Sequence, residues 1–185
     1  GVASWNYLQS LSTPWDSHRM FTTLKNYRTE VIKAVSPPEA LVRLDHVIRF
    51  MLSQRDYRQS WVLCEDYSRL AQSQPSVQIA EQLATLADEF LLRRLPAPQC
   101  TNQIYRSLQP DYQTAEKLLE IYWTMVLSLK GKDETLAMVR PKIDAARKTN
   151  QPQTFRFLAE KVQNAYGESA LSDDDKWDLA FAKHS

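Results

Sequence analysis

Residues 76–95, SVQIAEQLATLADEFLLRRL, decide the fold class. Val77, Ile79, Ala80, Leu83, Leu86, Ala87, Phe90 and Leu91 recur at the three- and four-residue spacing that gathers side chains on one broad face of an α-helix. Alanine and leucine add high intrinsic helix propensity. Pro75 stands before the stretch, and Pro96 and Pro98 stop it, because proline removes a backbone donor and clashes with a preceding helical turn.

Toward the N-terminus the same spacing returns. Met20, Phe21, Leu24, Tyr27, Val31 and Val35 predict a helix from about Ser17 to Val35. Ser36-Pro37-Pro38 ends it and starts the next, with Ser36 as the expected cap and Pro38 suited to a first turn. That next helix carries Ala40, Leu41, Leu44, Val47, Ile48 and Met51. After a turn at Ser53-Gln54-Arg55-Asp56, another carries Tyr57, Trp61, Cys64, Tyr67, Leu70 and Ala71.

Toward the C-terminus, residues 96–110 read as an irregular linker. From Asp111, a helix follows through Tyr112, Ala115, Leu118, Leu119, Tyr122, Trp123, Val126 and Leu127. Lys130-Gly131-Lys132 reads as a turn. Leu136, Val139, Ile143 and Ala146 mark a helix that Pro141 is expected to kink or split. Phe155, Leu158, Ala159, Val162 and Tyr166 mark one more, closed by Gly167. In the tail, Ser172 and Asp175 have the spacing of a capping box ahead of Trp177, Leu179, Ala180 and Phe181.

The chain is therefore expected to be all-α, with about six or seven antiparallel helices stacked as hairpins in a compact or short solenoid-like array. The expected organisation is an N-terminal arm, residues 1–16, and a helical domain, residues 17–183. That domain has two candidate subdomains, 17–95 and 111–183, joined by the linker 96–110. A length of 185 residues allows a sizeable core.

Composition narrows the function. The chain has 3 glycines, so the glycine-rich phosphate cradles of P-loop and dinucleotide folds are excluded. Its 2 cysteines, Cys64 and Cys100, are too few for a structural zinc site or a disulfide scaffold, and a reducing compartment is favoured. No apolar run is long enough to span a membrane. The expectation is a soluble cytoplasmic protein. The start at Gly1 also fits a fragment of a longer protein, and secretion as an effector stays open. No cofactor is implied.

Nucleic-acid binders concentrate basic residues, because phosphate contacts supply most of their affinity. A formal net charge of +1 argues against that class. The densest basic run is Lys130, Lys132, Arg140, Lys142, Arg147 and Lys148, diluted by Asp133, Glu134 and Asp144.

Catalytic patterns are scarce. His18, His46 and His184 fall in separate elements without metal-ligand spacing. An enzyme would draw first on His46, Asp45 and Arg49, but no nucleophile, metal or phosphate motif accompanies them, so a non-enzymatic role is the stronger reading.

Asp56-Tyr57 followed by Ser60, Trp61, Cys64 and Tyr67 resembles the second helix of a tetratricopeptide repeat, with Arg55 where glycine is usual. Gly131-Lys132-Asp133 is similar to the same turn, with Glu134 where an aromatic is usual. The resemblance implies antiparallel helix stacking and a groove that holds peptides or partner proteins.

Aromatic residues point the same way, because Trp and Tyr dominate interface hot spots. Trp61, Tyr67 and Trp123 read as core. Trp5, Trp15, Tyr105 and Trp177, near ends or loops, read as partner contacts, as do Arg93 and Arg94. The expected function is a protein-interaction module, an adaptor, chaperone or scaffold, working as a monomer or homodimer. A catalytic effector or a nucleic-acid binder is the alternative.

Overall fold

The computed structural model describes the backbone of residues 17–54, 56–92 and 102–184. Among these residues there are seven α-helices, one 3₁₀ turn and no strand. Two compact units divide at Pro75 and Ser76.

The first unit holds α1 (Ser17–Ala34), α2 (Pro37–Ser53) and α3 (Tyr57–Gln72). Short connections leave each helix packed on the next, α1 on α2 and α2 on α3. Leu24, Tyr27, Leu44, Val47, Ile48, Met51, Leu63, Cys64, Tyr67 and Ala71 are buried. Each large apolar side chain taken fully from water contributes about 1.5–3 kcal/mol. Burial raises the Tyr27 and Tyr67 phenols above their ordinary pKa, so both stay neutral in the core.

The start of α2 refines one expectation. Ser36 stands at the N-cap, but its side chain makes no capping bond. Pro37 and Pro38 carry no N–H, so the first turn offers few donors to cap. Asp56 does cap α3, accepting from the backbone N–H of Gln59 at 3.4 Å.

The second unit holds α4 (Val77–Leu92), α5 (Asn102–Lys148), α6 (Pro152–Tyr166), the 3₁₀ turn Glu168–Ala170 and α7 (Asp173–His184). α5 is two limbs joined at Gly131, its one residue with non-helical dihedrals (φ 78°, ψ 176°). The limbs fold back on one another. The Lys142 ammonium lies 5.4 Å from the centre of the Tyr122 ring, although the two residues flank Gly131 in sequence. This is the turn expected at Lys130-Gly131-Lys132. Pro141 does not split the second limb, because the neighbouring backbone stays helical through it.

α5 also starts earlier than the spacing indicates. Residues 102–110, read as linker, are helical in backbone. Residues 93–101, with Arg93, Arg94 and Cys100, lie outside the described residues.

α4 and α6 pack against α5. Leu83, Leu86, Ala87 and Phe90 meet a core shared with Leu118, Leu119, Val126, Val139, Ile143, Phe155, Leu158 and Val162, all buried. Polar contacts fix the registers. Lys142 pairs with Glu81 at 2.5 Å, Lys161 pairs with Glu120 at 2.6 Å, and the Thr154 hydroxyl donates to Asp88 at 2.9 Å. At the far end of α6, Trp123 and Tyr166 meet edge to face, with ring centres 6.3 Å apart.

Candidate functional site

The most exposed aromatic surface among the described residues lies at the end of the second unit, and α7 builds it. The helix starts with a reciprocal capping box. The Asp175 N–H donates to Ser172 Oγ at 3.1 Å, and the Ser172 N–H donates to Asp175 Oδ2 at 3.3 Å. The box fixes the rotation of the helix.

Asp175 and Leu179, one turn apart, face inward and are buried, and Leu171 is buried just before the cap. Trp177 and Phe181, also one turn apart, face away and are 77% and 74% exposed. Trp177, Leu179, Ala180 and Phe181, the apolar residues that follow the box in sequence, do not form one docking face. The structure splits them, because positions two apart on a helix point to opposite sides.

Two arginines tether this end. Arg140 donates to the Ala170 carbonyl just before the cap. Arg147, in the last turn of α5, meets Asp178 at 2.6 Å and Asp174 and Asp175 at 3.6 Å each. A groove of about 350 Å³ opens beside α7, with Ala146, Pro152, Phe155 and Phe181 as its apolar wall and Arg147 and Asp178 on its rim. Neither the groove nor Phe155 and Pro152 as its lining was visible in the sequence. The inward pair Asp175 and Leu179 was the signal that would have separated Trp177 and Phe181 as an outward pair.

The basic run of residues 130–148 is committed to contacts within the unit. Lys130 is 3.5 Å from Glu134, and Lys132 stands 5.4 Å from the Tyr166 ring centre. Lys142 is held by Glu81, Arg140 by the Ala170 carbonyl and Arg147 by the three aspartates. Lys148 is exposed. The run is therefore not one continuous basic face.

The other named residues are dispersed. Trp5 and Trp15 lie outside the described residues, as do Arg93 and Arg94. Tyr105 falls on helical backbone, and its side chain is outside the described set. In α2, Asp45 pairs with Arg49 at 2.9 Å while His46 is exposed. Trp123 and Tyr67 are core, as expected, and Trp61 is half-buried. Cys64 is a buried thiol. Among the described residues no group of three or more His, Cys, Asp or Glu side chains is placed to hold a metal ion, and no helix is long and apolar enough to cross a membrane.

Comparison of the chain with protein-family models, curated proteins and solved structures finds no match.

Proposed function

We infer that the protein is an interaction module, an adaptor, chaperone or scaffold, that binds a partner protein through the outer edge of α7 and acts by binding rather than catalysis. One observation carries the reading. Trp177 and Phe181 stand outward on a helix whose opposite face is capped, buried and tethered. Leaving two large aromatic side chains in water forgoes about 1.5–3 kcal/mol of burial for each. An anchored helix presents them without the ordering cost that a loose segment would incur on binding. The tetratricopeptide-like start of α3, with Asp56 as cap, adds helical-hairpin character of the kind that partner-binding scaffolds use.

The test is site-specific photo-crosslinking in the source cell. A benzophenone side chain at position 177 is expected to give a discrete adduct, and the same probe at the exposed position 113 is expected to give none. Equal, diffuse labelling from both positions would overturn the reading.

A further inference from the structure

We propose that the α6–α7 end receives a basic amphipathic helix from a partner protein, with one apolar side chain in the groove and another over Trp177. This rests on the interaction-module reading and adds the chemistry of the partner.

Charge favours a basic partner. α7 carries four carboxylates, Asp173, Asp174, Asp178 and the buried Asp175, against Lys176 and Lys183. Arg147 adds one further cation from α5. Asp173 and Asp174 are strongly exposed, and each meets its cation at long range, Lys176 at 3.5 Å and Arg147 at 3.6 Å. Exposed pairs of that kind contribute little, so an incoming Lys or Arg can join or replace them at small cost. The acids stand beside the aromatic pair, which is the alternation a basic amphipathic helix complements.

Shape favours an occupant that fills the groove. The wall formed by Ala146, Pro152, Phe155 and Phe181 accepts an apolar side chain, and the Asp178–Arg147 pair closes the rim beside it. Area argues against a second copy. Two aromatic side chains bring about 300–500 Å² per copy, roughly half of the ~800 Å² per partner that a stable interface needs. A foreign helix reaches further by covering the groove as well as α7.

The test uses the full chain and two labelled peptides, one a Leu/Lys amphipathic helix and the other its Leu/Glu counterpart, followed by fluorescence anisotropy. The Leu/Lys peptide is expected to bind and to weaken as salt rises, and the Leu/Glu peptide to bind at least about tenfold more weakly. Trp177→Ala and Phe181→Ala should each cost about tenfold in affinity. Asp173→Asn with Asp174→Asn should cost about threefold. Leu129→Ala, at an exposed apolar position elsewhere in the same unit, should leave affinity unchanged. All five positions are on the surface, and circular dichroism checks that the variants fold.

Equal binding of the two peptides, or Leu/Lys binding indifferent to Trp177→Ala and Phe181→Ala, overturns the proposal. A concentration-dependent dimer in sedimentation that Trp177→Ala abolishes also overturns it and assigns the face to a second copy. If position 177 crosslinks a protein in cells while the Leu/Lys peptide fails to bind, the basic-helix chemistry falls and the interaction-module reading stands.

Discussion

Each unit of the molecule gathers opposite charges around one hub, and the two hubs are inverses. In the first unit a single carboxylate, Asp66, collects two arginines. Arg28 holds both of its oxygens, through Nε and through Nη2 at 3.0 Å, and Arg69 adds Nη2 at 2.9 Å. In the second unit a single arginine, Arg147, collects three carboxylates. The Asp66 side chain is 4% exposed and the Arg147 side chain 35%. A buried carboxylate depends on its partners for the solvation it has lost. A half-wet guanidinium keeps water as an alternative partner. The number of pairs around a hub is therefore a poor guide to its worth, and the burial of its central group is the better one.

The largest expected effect breaks the buried hub. Asp66→Ala removes the buried carboxylate that joins α1 to α3 through Arg28 and leaves arginines that can still reach water, so the cost is that of its charge-assisted hydrogen bonds, about 3 kcal/mol. Chemical denaturation should show that loss with the slope nearly unchanged. A cost below about 1 kcal/mol would place Asp66 among ordinary surface pairs and remove the contrast.

A backbone change sets the next step of the scale. Gly131 has φ 78° and ψ 176°, a region open essentially only to glycine, and a Cβ there would meet nothing within 4 Å. Gly131→Ala should therefore cost about 1–3 kcal/mol through conformation alone, with no clash to relieve. The exposed hub comes below it. Arg147→Ala should lower the thermal midpoint by less than either change, and added salt should shrink the difference because the lost pairs are already screened. A salt-independent loss as large as that of Asp66→Ala would reverse the ranking.

The same distinction between local and tertiary causes decides what the sequence reveals. Helix spacing, the Gly131 turn and the Ser172–Asp175 box depend on residues close in the chain, and all three are legible there. The start of α5 is not, because residues 102–110 lack the clean apolar stripe that marks its continuation. Pro141 reads as a break, yet the limb keeps its dihedrals and packs through Val139 and Ile143 on either side. The partners of the basic run, Glu81 for Lys142 and Ala170 for Arg140, are distant in sequence and exist only once the unit has closed. Of the candidate site, Trp177 is legible as an aromatic near an end. The groove beside it is not, because Phe155 and Pro152 reach it from another helix.

The smallest effect carries the opposite sign and tests the comparison most closely. Asp88 is a half-buried carboxylate with a hydroxyl, Thr154, in place of an arginine at hydrogen-bond distance. Burial raises its carboxyl above the usual pKa, and the Thr154 hydrogen bond and the Lys142 charge oppose that rise without cancelling it. A folded-state pKa above the unfolded value means that the native protein takes up the proton first as pH falls. This group's contribution to stability is therefore greatest below the ordinary carboxylate range, near ~3.9, and is lost as pH rises through the raised value. Asp88→Asn keeps an oxygen to accept from Thr154 and removes the charge. It should be more stable than the parent at neutral pH, by less than about 1 kcal/mol. The gap should close as both are titrated toward acid. Denaturation of the two proteins across pH reads the effect directly. A variant less stable at every pH would mean that attraction to Lys142 outweighs the cost of burial, and Asp88 would then belong with Asp66 as a carboxylate held by its cation.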